Sequence, residues 1–175
     1  MKKIHLLFII PLLITACQPK AKTDAAVAPA PTPAYPYTIK HPDYWSMDTS
    51  HANTMVALNA IKAYETMDTV LMKKCFADSV TFEYDGGKFK GTISQLIKMA
   101  ASMNTPATKT KIDMKDWESV VSTDKKEEWV TLWYTQSGVD KKGKVDSIAY
   151  INDMQLKGGK IVKFDEYARH FTAAK

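Results

Sequence analysis

The chain has 175 residues and a formal net charge of +5, and 45% of its residues are hydrophobic. This length is about that of one domain and is enough for a well-packed core. The lysines are interspersed with acidic residues, for example over 109–116 and 124–128, which is typical of a solvated surface. The composition therefore argues against nucleic acid as a partner.

The N-terminal segment predicts export. Two lysines precede an almost wholly apolar run over 4–14, and two small residues stand directly before Cys17. This is the plan of a secretory signal peptide, and the run is too short to span a bilayer. The stretch 13–17 is similar to a lipobox, which implies cleavage before Cys17 and lipidation of that cysteine. The alternative is an ordinary secretory signal beside an unrelated cysteine.

Three segments follow from this interpretation: a signal peptide over 1–16, lipidated Cys17 with an Ala/Pro-rich tether over 17–40, and a domain over 41–175. The tether has no apolar period and favours extended, semi-rigid conformations. A multiply acylated cysteine would be a stable membrane anchor. Gln18 replaces the aspartate that tends to retain enterobacterial lipoproteins in the inner membrane, which favours the outer membrane, facing the periplasm.

Three helices are predicted in the first half of the domain, each from capping residues followed by apolar residues at helical spacing. The second contains Cys75, the only cysteine left after lipidation, which is predicted to be a buried small hydrophobe without a disulfide. The capping residues are Thr49 and Ser50 for the first helix, which ends near Met67, Asp68 for the second, and Thr92 with Gln95 for the third, which ends at Asn104.

Strands are predicted where β-branched and aromatic residues stand between turn signals. Residues 80–84 and 88–90 form a hairpin around Asp85-Gly86-Gly87. Four long strands are predicted at 109–122, 127–137, 145–156 and 160–171, and the short turns between them indicate an antiparallel meander. Helices followed by a meander define an α+β domain, with three N-terminal helices packed on one face of a curved antiparallel sheet.

Four stretches of the domain resemble the nuclear transport factor 2-like superfamily, in its SnoaL-like and ketosteroid-isomerase-like subgroup. They are Ala63-Tyr64-Glu65 with Asp68, the run 76–83, Phe89-Lys90-Gly91, and 159–162 leading to 165–167. The resemblance covers about residues 48–170 and implies a cone-shaped (cystatin-like) fold, in which a bent sheet wraps the helices and leaves a cavity. This fold hosts enzymes, binding proteins and dimerisation modules, so it does not identify a function.

Strand alternation and the resemblance together assign the walls of that cavity. The family pattern turns Val130, Leu132, Tyr134 and Gln136 inward, together with the face of the next strand that carries Asn152. A small apolar or amphipathic ligand would then contact aromatic walls with a few polar groups. The residues expected to line the pocket are Tyr64, Tyr84, Tyr134, Gln136, Asn152 and Tyr167.

The opposite face of the same strand carries Trp129 and Trp133, which predicts an apolar patch on the convex side of the sheet. Family members often dimerise through this sheet, so the resemblance implies a homodimer through the two tryptophans. If the faces were reversed, both tryptophans would belong to the core.

Ketosteroid isomerases use a carboxylate base and two acidic donors. The resemblance places the donors at Ala60 and Asn152 and the base at Tyr84. Ala60 cannot exchange a proton, and Tyr84 is a poor base at neutral pH. The full isomerase mechanism is therefore not expected.

The sequence offers few candidate residues for other acid–base or metal-dependent chemistry. Asp85 could serve as a base under a shifted alignment, although it is more typical of turn chemistry. Asp165 is the other weak candidate, in a polar run with Glu166 and Tyr167 near the predicted mouth. The histidines lack the spacing of a metal site, and no cofactor is expected.

The leading hypothesis is a non-catalytic periplasmic domain that binds a small ligand in the cone. The first alternative is a SnoaL-like enzyme of isomerase, cyclase or dehydratase type with Asp85 or Asp165 as base. The second is a dimerisation or protein-interaction module with a collapsed cavity. An open cavity would favour the first two hypotheses, and a carboxylate with a raised pKa inside it would favour the enzyme.

Overall fold

The computed structural model describes residues 34–40, 43–139 and 142–171 of the chain. The predicted signal peptide over 1–16, the predicted lipidation site Cys17 and most of the predicted tether lie outside these residues. The chain divides into two units, Met1–Ile39 and Lys40–Lys175, and every element named below belongs to the second. No helix among the described residues is long and apolar enough to cross a membrane.

The second unit contains three helices and seven strands within its described residues. The helices are α1 (Ala52–Thr66), α2 (Thr69–Cys75) and α3 (Ile93–Met103). The strands are β1 (Trp45–Met47), β2 (Phe76–Tyr84), β3 (Gly87–Thr92), β4 (Lys111–Ser122), β5 (Glu128–Val139), β6 (Val145–Lys157) and β7 (Lys160–His170).

Two of the predicted helix caps are confirmed. The Asp68 carboxylate accepts hydrogen bonds from the backbone N–H groups of Val70 and Leu71 and so begins α2. Thr92 and Gln95 form the capping box of α3, each side chain accepting from the other residue's backbone N–H. Helix α1 differs from the prediction, because it begins after His51, which has a left-handed backbone and makes no side-chain cap.

The strands form one curved, unclosed sheet in the order β1-β4-β5-β6-β7-β2-β3. The predicted meander of β4 to β7 is antiparallel throughout. The glycines of its last turn, Gly158 and Gly159, have φ values of 58° and 70°, which suit a tight hairpin between Lys157 and Lys160.

The expectation of a wholly antiparallel sheet was wrong at one position, because β2 pairs with β7 in parallel and the sheet is mixed. These two strands are far apart in sequence, so no turn between them specifies their direction. The short strand β1, which pairs with β4, was not predicted either.

The core lies between the helices and the inner face of the sheet. Val130, Leu132 and Tyr134 of β5 are buried there against Ala57 and Ala60 of α1. Trp129 and Trp133 lie on the opposite face and are half-buried. The predicted assignment of the two faces of β5 is therefore confirmed.

Candidate functional site

The second unit has a partly open cavity of about 100 Å³ between the helices and the concave face of the sheet. Its wall is mostly apolar and includes the stacked rings of Phe82 and Phe164, whose centroids are 4.0 Å apart. Polar side chains gather in one part of the wall. They are Tyr64, Tyr134, Gln136, Tyr150, Asn152 and Glu166.

Strand register brings these polar groups together. Tyr134 of β5 is opposite Tyr150 of β6, and Asn152 of β6 is opposite Glu166 of β7. Residues two apart on a strand share a face, so all four side chains project toward the helices. Tyr64 reaches the same region from α1, and the rings of Tyr134 and Tyr150 stack at 5.5 Å.

Glu166 is the one charged residue that lines the cavity among the described residues. Burial among apolar and aromatic groups disfavours its ionised form and raises the pKa of its carboxyl to about 7, and interaction with the Asn152 amide partly offsets this rise. No lysine, arginine or histidine is found in the described lining. The carboxyl therefore changes charge near neutral pH without a protein counter-ion beside it.

The three tyrosines around Glu166 are neutral at physiological pH. Burial, followed by the nearby Glu166 charge, raises the pKa of Tyr150 to about 12 and the pKa of Tyr134 well above its ordinary value. Burial also raises the pKa of Tyr64, although its hydrogen bond with Gln136 opposes the shift. Each hydroxyl can therefore donate or accept a hydrogen bond, and Glu166 is left as the proton-exchanging group.

Asn152 is only 1% exposed, and its Oδ1 has no hydrogen-bond partner among the described residues. Its side chain interacts with both Glu166 and Tyr134 and lowers the pKa of each. An ionised carboxylate only accepts hydrogen bonds, so the NH₂ group of the amide is the part that stabilises it. Asn152 is thus a hydrogen-bond donor within the polar part of the wall.

Four of the six predicted pocket residues line the cavity: Tyr64, Tyr134, Gln136 and Asn152. Tyr84 and Tyr167 do not. Tyr84 is at the end of β2 and is 38% exposed, and Tyr167 is 59% exposed on the outer face of the sheet, opposite Ile151. Alternation along β7 turns Phe164 and Glu166 inward, and it therefore turns Tyr167 outward.

Neither predicted base lies in the cavity wall. Asp85 stands in the turn after β2, next to Gly86, whose φ of 80° suits a tight turn. Asp165 is on the outer face, where its carboxylate pairs with Lys163 at 2.8 Å. The carboxylate inside the cavity is Glu166, and alternation from inward-facing Asn152 through the β6–β7 hairpin was the signal that could have identified it.

A second, open cleft of about 450 Å³ lies where β2 and β7 part. Their parallel pairing ends at Glu83 and Asp165, beyond which the two strands are not hydrogen-bonded to each other. Asp85 lines this cleft, and Glu166 lines both the cleft and the cavity. We call this cleft the acidic gap, since all the charged residues that line it are carboxylates: Glu83, Asp85, Asp165 and Glu166.

The outer face of the sheet carries an apolar groove of about 470 Å³. Ile151 is 40% exposed there, and its neighbours in register are Trp133 of β5 and Tyr167 of β7. Phe171 and the charged residues Arg169 and Lys115 also line the groove, with the Arg169 guanidinium 5.5 Å from the Phe171 ring centroid. Trp129 lies outside this groove, under the ammonium of Lys163.

Comparison with known proteins identifies the fold. No family model and no curated protein sequence matches the chain. Solved structures do match, among them a nuclear transport factor 2-like protein from Burkholderia xenovorans at 14% identity and a TM-score of 0.53, covering 71% of this chain and 93% of that one. An epoxide hydrolase of LEH-like type from Mycobacterium tuberculosis matches at 10% identity and a TM-score of 0.56, covering 70% and 86%.

A third similar structure is a protein with a ketosteroid isomerase-like fold from Catenulispora acidiphila, solved in complex with trimethylamine. It is 14% identical, with a TM-score of 0.53 and coverage of 64% of this chain and 83% of that one. The chain thus has the nuclear transport factor 2-like fold, as the sequence predicted. At these identities the similarity defines the fold and leaves the activity open.

Proposed function

We propose that this chain binds a small, mainly apolar molecule in the cavity, with a polar group of that molecule against Glu166. The observation that carries the proposal is an unfilled apolar space with one carboxyl group in its wall. Well-packed interiors contain few voids larger than a water molecule, and a concave apolar site with a few convergent polar groups is the usual form of a ligand pocket.

The cavity volume limits the size of the ligand. An apolar cavity of about 150 Å³ holds benzene, so about 100 Å³ suits a ligand of about four or five non-hydrogen atoms. The trimethylamine complex of the Catenulispora protein is consistent with a small ligand on this fold. Larger molecules would require α3, which carries Leu96, Met99 and Met103 in the wall, to move.

Two neighbouring alanines of α3 provide a matched test. Ala100 is buried in the cavity wall, and Ala101 is exposed on the same helix. Xenon enters empty apolar cavities, so ¹²⁹Xe NMR of the full chain should show a bound signal. Ala100→Leu should abolish that signal and Ala101→Leu should leave it unchanged. The absence of a xenon signal in the wild-type protein would contradict the proposal.

A second candidate function is acid–base catalysis, which the raised pKa of Glu166 favours. A base with a pKa near 7 is matched to proton transfer at neutral pH, so Glu166 takes the role that the sequence assigned to Asp85 or Asp165. The test is deuterium incorporation next to the carbonyl of small ketones in D₂O, followed by NMR. Faster exchange with the wild-type protein than with Glu166→Gln would support the enzyme. Equal rates would exclude this catalysis, and binding would then be the only function proposed for the cavity.

We also propose that lipidated Cys17 anchors the domain to the outer membrane, facing the periplasm. The support is the sequence 1–18, since Cys17 lies outside the described residues. In a Gram-negative host the wild-type chain should incorporate labelled palmitate and sediment with outer membranes. Cys17→Ser should do neither, and incorporation by that variant would contradict the assignment.

The outer groove supports a further proposal, that a second copy of this chain covers it. Its apolar residues lie on a sheet face, and a twofold axis through such a face would bury the same patch on both copies. The resemblance noted from the sequence supports the same arrangement. The surface of this proposal differs from the Trp129 and Trp133 pair that the sequence predicts, because Trp133 lines the groove and Trp129 does not.

A further inference from the structure

We infer that the ligand of the cavity is a small organic cation, an alkylammonium, that enters through the acidic gap between β2 and β7 and binds with its charged group on the Glu166 carboxylate. This inference rests on the proposed binding function and names the class of ligand. Two features of the second unit support it: the charge of the cavity wall, and the charge of the gap that shares Glu166 with that wall.

The first feature is the unbalanced charge of the cavity wall. An ionised Glu166 has no lysine, arginine or histidine beside it among the described lining residues. Glu166 is half-buried, and a carboxylate withdrawn from water is stabilised when a counter-ion and hydrogen bonds replace that water. A ligand ammonium would supply the missing charge and three N–H donors. An anionic ligand would face like-charge repulsion without a compensating cation in this wall.

The aromatic groups of the wall are also suited to a cation. The rings of Tyr64, Tyr134 and Tyr150 surround the polar part of the cavity, and all three hydroxyls stay neutral at physiological pH. Aromatic faces attract cations, more strongly when water is excluded. The remaining apolar wall would contact the alkyl part of the ligand.

The second feature is the acidic gap. Glu166 lines both the cavity and the gap, and it follows Asp165, the last residue of β7 that pairs with β2. Glu83 is paired with Lys88, and Asp165 is paired with Lys163. Asp85 has no ion pair among the described residues, and its charge adds to that of Glu166. A cleft lined by one sign of charge raises the local concentration of oppositely charged ligands.

Binding of an ammonium should depend on pH in a defined direction. The titratable and polar groups that face Glu166 are Tyr64 from α1, Tyr134 and Gln136 from β5, and Tyr150 and Asn152 from β6. Only Glu166 among them changes charge near neutral pH, with a pKa of about 7. The affinity should therefore rise as the pH increases from 6 to 8, while the ammonium itself remains charged.

The experiment compares three ligands of similar shape: isobutylammonium, isobutanol and isobutyrate. Each is titrated calorimetrically into the full chain in non-ionic detergent. Isobutylammonium should bind at least about tenfold more tightly than isobutanol, as expected for a hydrogen bond to a charged group, and isobutyrate should bind most weakly. Glu166→Gln should remove this preference. Glu118→Gln, at an exposed carboxylate of β4, should change neither affinity.

The outcomes distinguish failure of the ammonium inference from failure of the proposed binding function. Equal or tighter binding of isobutanol by the wild-type chain would overturn the inference and leave the binding function standing. Binding of none of the three ligands, together with the absence of a xenon signal, would overturn both. An ammonium preference that persists in Glu166→Gln would overturn the assignment of this carboxylate. Slower ammonium association in Asp85→Asn at low salt would support entry through the acidic gap, and an unchanged rate would overturn that route.

Discussion

Asn152 and Glu166 are directly opposite each other in the antiparallel pair of β6 and β7, with both side chains in the cavity wall. Burial raises the pKa of the Glu166 carboxyl to about 7, and the Asn152 amide keeps the pKa from rising further. The pair therefore holds a group that changes charge near neutral pH inside a mostly apolar space.

The first prediction concerns stability and pH. Glu166 has a pKa of about 7 in the folded chain and an ordinary value of 4.5. Between these values the folded state binds the proton more tightly than the unfolded state, so the free energy of unfolding should fall as the pH rises from 4.5 to 7. The loss from this group is on the order of 2–3 kcal/mol. Urea unfolding of the wild-type chain and Glu166→Gln measures it.

The difference in the free energy of unfolding between the wild-type chain and Glu166→Gln isolates the contribution of Glu166. Other carboxyls shift in the opposite direction, for example Asp124, whose hydrogen bond from Ser122 lowers its pKa to about 2. Such groups contribute equally to the pH dependence of stability in both proteins. Glu166→Gln should therefore gain stability relative to wild type as the pH rises, and Glu118→Gln should not. A difference that stays constant from pH 4 to pH 8 would show that Glu166 titrates normally.

Much of the fold could be predicted because its signals are local. The Asp68 cap, the Thr92–Gln95 capping box and the Gly158-Gly159 turn each act within a few residues. Strand alternation also identified the inner face of β5. The parallel pairing of β2 with β7 escaped prediction because it joins segments distant in sequence.

The candidate site was harder to predict than the fold. Alternation assigns a face to each residue, yet it does not say where along a strand the cavity ends. Tyr84 was therefore placed in the pocket, although it lies in the acidic gap. The role of Glu166 depends on burial by α1, β5 and β6 together, which no single stretch of sequence encodes.

The second prediction concerns the cap of α2. The Asp68 carboxylate accepts N–H groups of Val70 and Leu71 at 3.0 and 2.9 Å. Asp68→Ala removes both hydrogen bonds and should lower the free energy of unfolding by about 1 kcal/mol. Asp68→Ser keeps a capping oxygen and should lose less. Chemical denaturation compares the three proteins, and equal losses in the two variants would mean that capping is not the cause.

The third prediction tests the proposed homodimer. Ile151 lies in the outer groove, between Trp133 and Tyr167. Ile151→Glu would place a charge on an apolar interface and should convert dimers to monomers, which light scattering of the full chain in detergent can measure. Met55→Glu, at an exposed residue of α1, is the matched control and should remain dimeric. A wild-type chain that is monomeric at high concentration would refute the dimer.

The last prediction concerns the contact that holds α1 at the cavity. Asn104, at the end of α3, is buried, and its amide donates to the backbone carbonyls of Tyr64 and Glu65. Asn104→Leu has a similar volume but removes the amide donor from both carbonyls, and the Tyr64 carbonyl then keeps only the backbone N–H of Met67. Loss of a hydrogen bond that leaves a polar group unsatisfied costs about 1–3 kcal/mol, so the variant should unfold at a lower urea concentration. Because Tyr64 lines the cavity, its ring resonances in the NMR spectrum should shift as well. If stability falls while those resonances stay unchanged, Asn104 stabilises the fold without positioning the tyrosine.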